Sequence, residues 1–213
     1  MPRDQATSRK VADALYRHTR RAVQSSGLPV LAIDDARQRG GSFGARLANA
    51  FADAFAAGYE HVIAVGGDCP RLHEVDWPLV AAQLNDGNPV LGPTSDARGA
   101  YLIGLSRTQF DRETFAALPW QSPNLFGALA DHLAYCSGRS PVRLAARSDV
   151  NNPHDLRMLV NEASAAVTAL VKQLRMALGR TTPAARRVGQ PMLATVAHIP
   201  SCRAPPVERA VLS

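Results

Sequence analysis

The sequence predicts an α/β protein of three layers, with a mostly parallel, doubly wound sheet between helices. Three observations carry this. Short apolar runs rich in β-branched residues, at 28–33, 61–65, 89–92, 100–105 and 141–145, have no helical period. Amphipathic segments of about 10–15 residues stand between several of them, the spacing of strand–helix–strand units. Polar turn clusters such as Asn85-Asp86-Gly87-Asn88 punctuate the alternation. Crossovers in such a sheet are right-handed.

Taken in order, residues 4–25 predict a helix, with Val11, Leu15 and Ala22-Val23 on one stripe and Lys10, Arg17 and Arg20 on the other side. Residues 28–33 predict a strand, and Asp34-Asp35 leads into a polar connection. Ser42 is an N-cap candidate for the clearest periodic helix, in which Phe43, Leu47, Phe51, Ala54 and Phe55 recur every three or four residues. The run 61–65 predicts a buried strand, and Gly66-Gly67 frees the chain for a sharp exit. Residues 74–84 predict a helix, followed by a short strand, a polar loop from Pro93 to Gly99, and a further strand at 100–105. Ser122 or Asn124 caps a helix burying Leu125, Leu129 and Leu133. After the strand at 141–145, a helix begins near Asp155. A final amphipathic helix at 164–178 has a stripe suited to packing on the domain or a protein partner. From Gly179 the chain is rich in Pro, Arg and Ala without period and reads as a disordered basic tail. The expected organisation is one domain over 1–160, an appended helix over 161–178 and a tail over 179–213.

The net charge of +6 invites a nucleic-acid reading, but its distribution argues against one. Residues 1–25 carry +4 and 161–213 carry +5, leaving −3 on the body. Aromatics are 6% of the chain and none is interleaved with the terminal arginines, so no stacking platform is visible. No apolar run reaches a membrane span, and the N-terminal residues lack a secretory apolar core; the expectation is a cytoplasmic protein. Cys69, Cys136 and Cys202 are too few and too scattered for a disulfide framework or a zinc site. A Walker phosphate loop and a His-Glu-x-x-His helix are absent, and no serine nucleophile elbow is expected.

The residues that suggest chemistry cluster after strands. Asp68 follows the strand 61–65, where open α/β sheets place ligands, and equally fits a turn aspartate satisfying its own backbone. Asp149 stands after the strand 141–145 in the same way. Gly40-Gly41 before a helix, with Arg46 one turn in, offers unpaired N–H groups and a guanidinium to a phosphate; a simple loop-to-helix turn explains the glycines as well. Asp96, Arg98 and Tyr101 bracket a loop suited to lining a cleft, with a turn role as the alternative for Asp96.

Six blocks in order resemble the DUF2064 family: Gly41-Ser-Phe-Gly-Ala-Arg46, Gly67-Asp-Cys-Pro-Arg-Leu72, Val90-Leu-Gly-Pro93 with Asp96, Gly99-Ala-Tyr-Leu-Ile-Gly-Leu105, Pro119-Trp-Gln-Ser-Pro123 and Asp149-Val-Asn151. The resemblance spans roughly residues 9–160. It implies a GT-A-type fold of the nucleotide-diphospho-sugar transferase kind, with the first strand and its basic Lys/Pro/Gly loop lacking a counterpart, an N-terminally truncated form. A sheet without that strand leaves neighbouring edges unpaired.

The same resemblance assigns a divalent cation, Mg²⁺ or Mn²⁺, to Asp68 and Asp149, with Asn151 adding a neutral oxygen. Gly40, Gly41, Arg46, Arg98 and Tyr101 become candidates for contacting substrate or nucleotide. Asp96 becomes the candidate for orienting an acceptor hydroxyl or acting as base. The expected activity is transfer of a sugar or nucleotidyl group from a nucleotide donor to a small acceptor. The alternative is a scaffold of the same fold that binds without catalysing.

Overall fold

The structure, a computed structural model, describes residues 2–33, 38–162, 167–178 and 192–195. Asp34-Asp35, the first three residues of the helix expected over 164–178, Cys202 and the tail other than 192–195 lie outside the described residues.

The class is α/β. Its strands are β1 (His61–Gly66), β2 (Val90–Pro93), β3 (Ala100–Ser106), β4 (Val142–Arg143) and β5 (Met192–Thr195), in the order β4-β2-β3-β1-β5. Helices α2 (Phe43–Ala56), α4 (Arg112–Ala116) and α5 (Leu125–Ser137) cover one face. Helices α1 (Pro2–Gln24) and α3 (Trp77–Asn85) cover the other. The period of two along β1 divides the core: Val62 and Ala64 join Phe51, Phe115 and Leu129, whereas Ile63 and Val65 join Val23, Leu72 and Val80. The two sides make the expected three layers.

Strand direction needs a correction. β1, β2 and β4 run one way, but β3 lies between β1 and β2 and opposes both, so most ladders are antiparallel. The connection from β2 to β3 is residues 94–99, too short for the crossover that a parallel pair requires. Residues 28–33 join no ladder among the described residues. Leu28, Val30 and Ala32 still pack on one cluster while Leu31 packs on the opposite one, the alternation of a strand with no pairing partner. The edge of β1 away from β3 is paired by β5, from Ile63 opposite Thr195 to Gly66 opposite Met192.

Capping residues set the helix starts. Asp76 accepts from the amide of Leu79, and Pro78 occupies the first turn, so α3 begins at Trp77 after a separate 3-10 turn, Leu72–Glu74. Asn152 accepts from His154 and Asp155 amides while Asp155 reaches back, starting α6 (Pro153–Asn161) with a capping box. The stripe of α7 (Thr168–Leu178) packs within the chain: Leu170, Val171 and Leu174 meet Ala14 and Leu15 of α1 and Leu156 and Leu159 of α6. No helix among the described residues is long and apolar enough to cross a membrane.

Candidate active site

Asp68 stands two residues past β1. The glycine before it has a purpose other than the backbone freedom expected of it: neither Gly66 nor Gly67 has a positive φ. A Cβ on Gly66 would lie 2.7 Å from Oδ1 of Asp68, so the absent side chain makes room for the carboxylate.

Asp149 reaches the same place along the outer strands. After β4 the chain continues beside β2, with the Leu144 amide on Leu91 O (2.8 Å), the Arg147 amide on Pro93 O (3.1 Å) and the Ser95 amide on Arg147 O (2.9 Å). It then crosses to the end of β1, where the Val150 amide donates to Asp68 O at 2.9 Å. The electrostatics register the approach. Burial, and then the charge of Asp149, push the Asp68 carboxyl up to about 6. Asp149 is itself raised, chiefly by burial; the Asn151 hydrogen bond opposes this and the charges of Asp96 and Asp155 add to it.

The neighbours of the pair have definite tasks. Asn151 donates from Nδ2 to Oδ2 of Asp149 at 2.7 Å, orienting that carboxylate. Asp96 is exposed in the turn between β2 and β3, where it accepts from Thr94 Oγ1 (2.6 Å) and the Arg98 amide (3.1 Å). The Thr94 hydroxyl is the main reason its carboxyl lies below the usual carboxylate range, a setting that weakens it as a base. These bonds are those of a turn aspartate, yet the turn borders Asp149: Ser95 Oγ donates to Ser148 Oγ at 3.2 Å. The side chain of Arg98 is exposed beside it.

Tyr101 differs from its expected place on a cleft wall. The β2–β3 register jumps from Gly92 opposite Leu102 to Pro93 opposite Ala100, so Tyr101 is the extra residue of a bulge. Its ring is buried over Gly92, where a Cβ would come within 2.4 Å of Cζ, and its hydroxyl donates to Ala145 O at 3.0 Å. Arg147 was not singled out from the sequence. Its side chain is 10% exposed, its guanidinium lies 5.9 Å from the Tyr101 ring centroid, and it pairs with Glu74 through the carboxylate and through Glu74 O (2.9 Å). Arg71 joins Glu74 (2.9 Å) to Glu162, extending the ion pairs to the end of α6.

The sequence pattern of a family described as an uncharacterized protein conserved in bacteria, DUF2064, matches residues 6–122. The chain belongs to the DUF2064 family. Among solved structures, it is similar to the crystal structure of a "putative nucleotide-diphospho-sugar transferase" from Desulfovibrio desulfuricans G20, at 25% identity and a TM-score of 0.50. That likeness covers 66% of this chain and 64% of the other, so the DUF2064 chain spans less than two thirds of that protein's length. No curated protein matches it.

The remaining candidates of the DUF2064 chain lie at the N-terminus of α2. Gly40 has φ 134° and packs on Ala45, where a Cβ would meet backbone at 2.9 Å; Gly41 is open. Arg46 is half-buried, and no hydrogen bond among the described residues ties it, Gly40 or Gly41 to Asp68 or Asp149. The letters Gly40-Gly41-Ser42-Phe43-Gly44 do spell Gly-x-Ser-x-Gly. Ser42, however, follows no strand, and its hydroxyl accepts from the Ala45 amide as an N-cap (3.1 Å), unlike an elbow nucleophile. A cleft of about 430 Å³ lies at the other end of the sheet, beside His61 and Ser106, and shares no residue with the Asp68 site. Its Arg107 and Arg139 are committed to backbone carbonyls of Phe55, Tyr59 and Asp86.

Proposed function

We propose that this DUF2064 protein is a metal-dependent transferase, moving a sugar or nucleotidyl group from a nucleotide-activated donor to a small acceptor. One observation carries the reading: Asp68 and Asp149, far apart in sequence, converge at one end of the sheet through the Val150–Asp68 hydrogen bond. Their donor chemistry fits Mg²⁺ or Mn²⁺, which take hard oxygen ligands and retain waters, so two carboxylates suffice. Among the described residues no group of three or more His, Cys, Asp or Glu forms a fuller cage. A divalent cation, when bound, neutralises diphosphate oxygens and so improves the nucleotide as a leaving group. Burial first, and then the charge of Asp149, raise the Asp68 carboxyl, and a bound cation would offset the repulsion.

In this reading Asp68 and Asp149 hold the cation and Asn151 fixes the rotamer of Asp149. Asp96 orients the acceptor hydroxyl at the rim, with Arg98 next to it. Gly40, Gly41 and Arg46 serve donor phosphates at the α2 N-terminus. The likeness to the Desulfovibrio protein supports a nucleotide-sugar donor. The test is calorimetry of wild type and Asp68→Ala with Mn²⁺ and a panel of nucleotide sugars. Cation-dependent nucleotide binding that disappears in the variant is expected. No binding in any combination sinks the proposal and leaves a non-catalytic scaffold.

A further inference from the structure

The backbone that carries Asp68 is held at every carbonyl from Gly67 to Pro70. Asp68 O accepts from Val150 N, and Cys69 O accepts from Leu72 N at 3.3 Å. The other two are served from α1. Thr19, 1% exposed, donates its hydroxyl to Gly67 O at 3.1 Å. His18 Nε2 lies 2.6 Å from Pro70 O; a carbonyl only accepts, so this nitrogen carries the hydrogen. The His18 ring is braced edge-on by His73 of the 72–74 turn, centroids 5.6 Å apart.

From this geometry we infer that His18 and Thr19 are positioning residues, a clamp from α1 that grips the carbonyls on either side of Asp68 and sets its carboxylate over Gly66 toward Asp149. The inference rests on the proposed cation-binding role for its functional meaning, and on the hydrogen bonds alone for its mechanics. A helix stacked beneath the sheet thereby acts on the carboxylate through the backbone that carries it. Neighbouring side chains in one turn of α1 reach carbonyls three residues apart, so loosening either one frees the loop on one side of the carboxylate. The sequence conceals this: both residues fall in the helix 2–24, where a Thr and a His read as ordinary helix positions.

The test uses the full chain, with Thr19→Val, Thr19→Ser, His18→Ala and His18→Gln. Hydrogen exchange followed by NMR reads the Val150 amide, whose acceptor is Asp68 O, against the Leu102 amide in the centre of the sheet. Mn²⁺ titration reads the site. Thr19→Val and His18→Ala are expected to accelerate Val150 exchange roughly tenfold, as loss of one hydrogen bond implies, with Leu102 unchanged. They are expected to weaken Mn²⁺ binding by a similar factor, while Thr19→Ser and His18→Gln, which keep a donor, restore both. Val150 exchange that is unchanged, or accelerated only in step with Leu102, overturns the clamp. If wild type binds no Mn²⁺, the transferase reading fails while Val150 exchange still decides the clamp.

Discussion

Oδ1 of Asp68 lies 2.7 Å from the point where a side chain on Gly66 would begin. Contact this short is not tolerated, so Gly66→Ala must turn the carboxylate away or push the loop off β1. The expected result is at least a tenfold loss of Mn²⁺ affinity, with a stability cost of about 1–3 kcal/mol from overpacking. Titration calorimetry and urea denaturation measure the two; intact Mn²⁺ binding in Gly66→Ala contradicts the geometry.

The Asp68 carboxyl titrates at about 6 in the folded chain against an ordinary 3.8. Between those values the folded state keeps a proton that the unfolded chain releases, so this group's contribution to stability falls as pH rises from about 4 to about 6. Asp149 acts with the same sign. His18 and His132, both lowered mainly by burial, act oppositely, losing stability as pH falls toward 5. Comparing wild type with Asp68→Asn isolates the carboxyl: the variant gains relative stability from pH 4 to pH 7 in metal-free buffer. A difference that does not change with pH refutes the coupling.

Arg147 and Glu74 join the segment that leads from β4 to Asp149 to the turn after Asp68. Replacing Arg147 with Met leaves Glu74 with Arg71 and His73 and removes the guanidinium beside Tyr101. The expected cost is about 2 kcal/mol, within the range for hydrogen bonds to charged groups, since Glu74 is about a third exposed. Arg147→Lys recovers only part of this, because one ammonium cannot reach both the carboxylate and Glu74 O as the planar fork does. Urea denaturation separates these cases, and equal stability of Met, Lys and Arg chains rules out a structural role for the pair.

Cys69 is 1% exposed, and burial pushes its thiol up to about 12. It should resist a disulfide-exchange reagent under native conditions and react once the chain unfolds, as a protonated and inaccessible thiol does. Half-buried Cys136, also raised by burial, should modify before Cys69. Peptide mapping after timed labelling gives the order, and early labelling of Cys69 shows that the loop opens.

The parts of the site visible in the sequence are those written locally. The spacing of Phe43, Leu47, Phe51 and Phe55 fixes α2, and Asp68 after a β-branched run falls where expected, two residues past β1. The reversed direction of β3 runs against the parallel sheet expected, although the short connection 94–99 carries the signal for it. Tyr101 was misplaced because a one-residue bulge turns a side chain to the opposite face and leaves no mark on the hydrophobic pattern. Arg147 and Glu74 are separated by most of the sheet in sequence, and nothing local announces their pairing. Residues 28–33 show the reverse case: the alternation is real, but pairing requires a neighbour that the pattern cannot supply.

The pairing of β5 with β1 also bears on how the protein is made. A ribosome releases β1 early and β5 after the other strands of the sheet, so nascent chains carry an exposed strand flank until β5 emerges. Pairing of that edge therefore waits for β5, and until then the flank is where a chaperone has most to shield.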